Sequence, residues 1–267
     1  MNRVNTLLSR CALPSEPTQH LSGGMMGEVY RCGDWVVKTH PSPPPGLFPA
    51  EARGLRALAD VGVRTPTVRY ADEDGIVMRF LHPGKPDPSG LAEQLARLHR
   101  ARGPEYGSPT RVFLGRFALP TIPMKSDWLP YWAQARIRPL VEATRQTLGR
   151  LASRVETLLT VYRPPIEGPS LLHGDLWNGN VVMAREGATL IDPSVWYGER
   201  AVDLAMMRLF GGFGRSFWSK YEALCPIPKA VEESIPYYQL YYLLVHVHFF
   251  GAAYCQGVDG ALRHYDC

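Results

Sequence analysis

The stretch Leu171–Gly198, LLHGDLWNGNVVMAREGATLIDPSVWYG, constrains this chain more tightly than any other. It sets Asp175 and Asn180 within HGDLWNGN and Asp192 within LIDP, with a short apolar run, SLL or TLI, ahead of each motif. Short strands flanking a polar loop bring such residues to one edge. Two carboxylates and an amide oxygen there suit Mg²⁺, a hard cation that takes oxygen ligands and completes its shell with water and substrate phosphates. One carboxylate can serve instead as the base for an attacking hydroxyl. The spacing matches a phosphoryl-transfer template in which the first Asp accepts a hydroxyl proton, while an Asn five residues on and a later Asp hold metal.

The first half of the chain supplies what that template needs on the nucleotide side. GEVYRC and DWVVKT are rich in β-branched and aromatic residues, and Gly33-Asp34 between them reads as a tight turn. Period-two alternation puts Val36 and Lys38 on one face of the second strand. Pro49 is expected to open a helix running AEARGLRALADVG and stopping at Gly62. On it Glu51, Leu55 and Leu58 share a face. A carboxylate on an apolar face requires a partner, and Lys38 is the candidate. Ahead of the strands, the backbone N–H groups of Gly23-Gly24-Met25-Met26-Gly27 can cover phosphates. GIVMRFL is expected as a strand from Gly75 to Leu81. It falls where a hinge should lie, so the backbone of Arg79, Phe80 and Leu81 is placed to hydrogen-bond an adenine ring.

Beyond residue 81 the pattern becomes helical. GLAEQLARLHR carries Leu91, Leu95 and Leu98 on one face. The expected architecture is α+β and two-lobed, with a small β-rich lobe over 1–81 and a larger, mainly helical lobe over 82–267. The arginines between 136 and 154 read as a solvated helix face. IPYYQLYYLLVHVHFFGAAYC is long and apolar but carries Gln239, His246 and His248, so a buried helix is expected and not a membrane span. His246 and His248, two apart on a helix, face different ways and do not form a metal pair, which leaves His246 free to face an acceptor pocket. His173 reads as a hydrogen-bonding residue of its loop.

Composition narrows the class. At 267 residues, 45% hydrophobic, 20% charged and with a formal charge of +4, the chain is globular and mildly basic, without the Lys/Arg run of a nucleic-acid tail. Five cysteines form no C-x-x-C pair and are odd in number, which points to a reducing, cytoplasmic setting. The N-terminus carries no apolar core of signal-peptide length.

Taken together, HGDLWNGN, IDPSVWYGERAVDLAM, LFGGF and YYQLYYLLVHVHFFGAAY resemble the fructosamine kinase (ketosamine kinase) family. That family lies within the aminoglycoside-phosphotransferase and choline-kinase group of protein-kinase-like folds. GGMMGEVY, VVK, EARGLRAL and GLAEQLARLH extend the likeness over most of the chain. The resemblance implies ATP- and Mg²⁺-dependent transfer of the γ-phosphate to a sugar hydroxyl of a fructosamine or ribulosamine, free or protein-bound. Deglycation follows where the product decomposes. It implies Asp175 as base, Asn180 and Asp192 as metal ligands, Lys38 and Glu51 on ATP, Trp177 beside the substrate sugar, and Asp203 as a brace for the catalytic loop. Two other readings were open on the residues. One is a kinase for another small hydroxyl compound, such as an aminoglycoside or an amino alcohol. The other is an ATP-binding protein without catalysis, against which the intact Lys38, Asp175, Asn180 and Asp192 set argues. The short run from Asp192 to the next helix lacks the long activation segment of a protein-serine kinase.

Overall fold

In the computed structural model, which describes residues 3–14, 17–21 and 27–266, the chain opens with α1 (Arg3–Arg10) and then builds a sheet. Its strands are β1 (Thr18–Leu21), β2 (Glu28–Cys32) and β3 (Trp35–Thr39). After α2 (Leu47–Asp60) come β4 (Val68–Ala71) and β5 (Gly75–Arg79). The order is β1-β2-β3-β5-β4, antiparallel at every step, and Gly33 and Asp34 make the β2–β3 turn.

Alternation sorts the side chains of β3 and β5. Val37 and Val77 pack with Leu7 and Leu8 of α1 on one face. Val36, Ile76 and Met78 pack with Phe48, Ala52 and Leu55 of α2 on the other. Lys38, two residues from Val36, therefore emerges on the α2 side. The helix begins at Leu47, two residues ahead of the expected Pro49. Its first-turn N–H groups have no intrahelical acceptor, so Pro49 is tolerated inside the turn as well as at its start. The last strand of this sheet ends at Arg79, earlier than the expected Leu81, although the Phe80 N–H still bonds the Asp34 carbonyl at 2.8 Å in the β3–β5 register.

The remainder is mostly helical: α3 (Pro88–Arg100), the small hairpin β6 (Phe113–Leu114) and β7 (Phe117–Ala118), α4 (Trp128–Tyr131), a π-helical turn over Trp132–Ile137, α5 (Arg138–Leu148) and α6 (Leu151–Val161). Next come β8 (Ser170–Leu172), β9 (Val181–Ala184), β10 (Gly187–Leu190) and β11 (Trp196–Gly198), pairing as β8 with β11 and β9 with β10. Then follow α7 (Ala201–Phe210), α8 (Arg215–Leu224), α9 (Lys229–Glu233), α10 (Ile235–Phe250) and α11 (Cys255–Arg263). A large core joins α3, α7 and α10 to the aromatic cluster of Trp128, Trp132 and Trp196.

The buried helix expected from the long apolar segment is α10. Among the described residues no helix is long and apolar enough to cross a membrane. One expectation fails in this half. Arg138, Arg145 and Arg150 are exposed, but Arg136 is buried. The π-helical turn rotates it inward, where its guanidinium lies 4.2 Å over the Trp196 ring and 5.0 Å from that of Tyr131.

Candidate active site

Lys38 and Glu51 meet as their places on β3 and α2 require. Lys38 Nζ lies 2.7 Å from Glu51 Oε1, and both side chains are buried. The same ammonium also contacts the Asp192 carboxylate, so one cation serves two carboxylates from opposite halves of the chain. Burial pushes the lysine down, but Asp192 and Glu51 outweigh it and hold it protonated. Burial raises the Glu51 carboxyl, and Lys38 pulls it back only in part. Asp192 itself sits at φ 55°, a left-handed conformation that aspartate tolerates better than most residues and that accumulates at functional sites.

The loop after β8 is fixed by buried polar groups. Asp203, on the first turn of α7, is fully buried and accepts from the N–H groups of His173 and Gly174, each at 2.8 Å. His99 of α3 reaches the same carboxylate through Nε2 at 3.3 Å, while its Nδ1 lies 2.7 Å from the Tyr221 hydroxyl. Gly174 takes φ 79° directly against the Ser194 carbonyl, where a Cβ has no room. His173 Nε2 donates to the Ile191 carbonyl at 3.0 Å and its Nδ1 faces the Asp175 N–H at 3.3 Å, the structural role expected of it. The brace delivers Asp175 to the cleft.

Asn180 Nδ2 donates to the Asp175 carbonyl at 2.8 Å and to its Oδ2 at 3.2 Å. That orients Asp175 and leaves the Asn180 amide oxygen as the end available to a cation. Burial, then the charge of Asp192, pushes the Asp175 carboxyl up to about 7, a value poised for proton transfer near neutral pH. Among the described residues no group of three or more His, Cys, Asp or Glu side chains gathers as a metal cage. A donor set of one carboxylate and one amide oxygen fits Mg²⁺, which is usually held by one or two carboxylates together with substrate phosphates.

Glu51, Asp175, Asn180 and Asp192 line a cavity of about 340 Å³. Trp177 and His246 both line it. The Trp177 ring lies over Gly179 with no space for a Cβ between them, and it is 43% exposed. The imidazole of His246 donates from Nδ1 to the Tyr242 carbonyl at 2.7 Å, whereas His248 points to Phe117, so the two histidines do diverge. Gly27 takes φ 120° against the Thr39 carbonyl, a position closed to a side chain; Gly23 and Gly24 lie outside the described residues. Of the three hinge residues, Arg79 gives its N–H to Thr67 and Phe80 to Asp34, which leaves the N–H of Leu81 without a backbone partner among the described residues. The sequence reading missed His99, Tyr221 and the aromatic lining of Phe210, Phe250 and Tyr254. His99 had a visible signal: four residues after Leu95, it sits on the apolar face of α3.

The buried histidines carry a stability prediction. Burial lowers both His99 and His173, so each folds neutral, whereas the unfolded chain takes up protons near pH 6.5. Their stabilisation is complete above that pH and is lost as pH falls toward the folded pKa, at up to about 1.4 kcal/mol per pH unit for each. The stability advantage of wild type over His99→Gln should therefore shrink between about pH 7 and about pH 5 in denaturant titrations, since the glutamine variant lacks this proton uptake.

Residues 5–265 match the family model described as Fructosamine kinase. The chain belongs to the fructosamine kinase family. It is 52% identical over 258 residues to a Thermus thermophilus protein named "Probable ketoamine kinase", covering 96% of this chain and 95% of that one. A crystal structure from Thermobifida fusca, provisionally named a fructosamine-3-kinase, superimposes with a TM-score of 0.86 at 30% identity, covering 97% of this chain and 98% of that one. An ADP-bound aminoglycoside phosphotransferase superimposes at 0.62 over 98% of this chain and 96% of that one; at 13% identity the likeness is one of fold. The architecture of this fructosamine kinase family member is thus the expected two-lobed, protein-kinase-like one, and the protein is a kinase.

Proposed function

We propose that this kinase transfers the γ-phosphate of ATP to a sugar hydroxyl of a ketosamine, a fructosamine or ribulosamine, free or carried on a protein. The observation that carries the reading is the one cavity that Asp175, Asn180 and Asp192 line together with aromatic side chains. In this reading Asp175 accepts the proton of the hydroxyl as its oxygen bonds to the γ-phosphorus and the bond to ADP breaks. Lys38, held by Glu51, binds the α/β-phosphates. The N–H of Leu81 meets the adenine, and the backbone N–H groups of Gly23, Gly24 and Gly27 cover the phosphates. Asp192 and the Asn180 oxygen would hold Mg²⁺, which would supply charge neutralisation of the phosphates. Trp177 offers its face to the sugar, and His246 lines the acceptor side. Deglycation and a cytoplasmic setting follow from this substrate class and from the cysteine usage.

An aminoglycoside is polycationic and calls for carboxylates along the acceptor site. The carboxylates lining this cavity are Glu51, Asp175 and Asp192, all engaged in phosphate handling in this assignment, which favours the ketosamine. The test is kcat/KM for ATP-dependent phosphorylation of fructosyl and ribulosyl amines beside amino alcohols and an aminoglycoside. The ketosamines should lead; an aminoglycoside or amino alcohol turned over with higher kcat/KM overturns the assignment. In a nucleotide-binding titration with and without Mg²⁺, Asp192→Ala should abolish the Mg²⁺-dependent binding. Unchanged Mg²⁺-linked binding in that variant removes Asp192 from the metal site.

A further inference from the structure

The assigned phosphoryl transfer leaves Phe210, Phe250 and Tyr254 without a role, and the inference that follows rests on the ketosamine reading. In the lining of the cavity His246 is the hub of a continuous aromatic wall. Its ring centroid lies 4.8 Å from Phe210, 5.5 Å from Phe250 and 4.8 Å from Tyr254, with Phe250 and Tyr254 5.7 Å apart. Phe210 and Phe250 are 38% and 49% exposed, so two large rings in the lining of the cavity face water, an arrangement that marks a binding surface. Among the described residues no lysine or arginine lines the cavity. Because His246 Nδ1 donates to the Tyr242 carbonyl and burial keeps the imidazole neutral, Nε2 is left as a hydrogen-bond acceptor.

A ketosamine has two ends as well: a polyhydroxylated sugar and a substituent on its secondary ammonium. The sugar belongs with Asp175. We propose that the wall of Phe210, His246, Phe250 and Tyr254 is the subsite for the amine substituent, and that it selects apolar or aromatic substituents over those with a carboxylate beside the amine. The ammonium meets ring faces and the His246 Nε2 acceptor, both suited to a cation. An apolar group covers the exposed rings. A carboxylate at the same place loses water and finds no cation.

The experiment measures kcat/KM for N-benzyl and N-carboxymethyl ketosamines, each in fructosyl and ribulosyl form, with wild type, Phe250→Ala and Phe250→Arg. Phe250 is half-exposed, so both variants should keep the wild-type unfolding midpoint, which is measured alongside. Wild type should favour benzyl over carboxymethyl on the order of tenfold or more. Phe250→Ala should reduce that ratio, and Phe250→Arg, which supplies the missing cation, should move it toward the carboxymethyl substrate. Equal efficiency on the two substituents, or a ratio unmoved in both variants, overturns the subsite. Failure of wild type on all four compounds instead overturns the ketosamine assignment on which the subsite rests.

Discussion

Asp175→Asn should lower kcat by about 10² to 10⁴ while leaving ATP affinity within a few-fold of wild type. The substitution keeps the shape of the side chain and its contact with Asn180, whose Nδ2 also bonds the Asp175 backbone carbonyl and so stays in place. It removes only the capacity to take a proton. Steady-state kinetics with a nucleotide-binding titration separate the two quantities. Turnover near that of wild type removes Asp175 as the base; a parallel loss of ATP binding shows that the carboxylate acts on the nucleotide.

Lys38→Met should destabilise the fold and abolish activity together. It leaves Glu51, a buried carboxyl whose Oε2 already lacks a partner, without its cation, and breaking a buried pair in this way costs about 3–5 kcal/mol. Without the lysine the Glu51 carboxyl, already raised by burial, rises further. A group whose folded pKa is raised contributes stability that is lost as pH rises through that value, so the variant's deficit should grow from acid to alkaline pH. Adding Glu51→Leu should restore much of the stability, since it removes the stranded charge, and none of the activity, since the proposed assignment gives the lysine to the phosphates. Denaturant unfolding of both single variants and the double gives the coupling directly. A double variant no more stable than Lys38→Met contradicts the pairing account.

The sequence disclosed most where a residue's chemistry and its periodicity agreed. Lys38 and Glu51 could be paired before any coordinates because alternation on a strand and the apolar face of a helix each fix a direction, and an ion on either face has to find its opposite. Asp175, Asn180 and Asp192 were legible because their order and spacing are those of a loop between short strands. What stayed hidden depends on contacts between distant segments. Asp203 bonds two backbone N–H groups about thirty residues earlier in the chain, and only the resemblance placed it at the loop. Arg136 read as a surface charge because regular helical spacing puts it among exposed arginines; one π-helical turn reverses its direction. The aromatic wall draws on α7, α10 and the turn after it, so no single window of sequence contains it. Phe80 was placed at the hinge by its neighbourhood, yet a backbone hydrogen bond to the β2–β3 turn decides what its N–H can do.

The central claim is that one cavity joins a proton acceptor and a phosphate-binding set to a ketosamine hydroxyl. It is tested most directly by ³¹P NMR of the reaction of ATP with a fructosyl or ribulosyl amine, run with wild type and with Asp175→Asn. The account predicts a new phosphomonoester resonance on the sugar, growing in step with ADP in the wild-type reaction and nearly absent with the variant. ADP formed without a sugar phosphoester, or an equal yield from the variant, would contradict it.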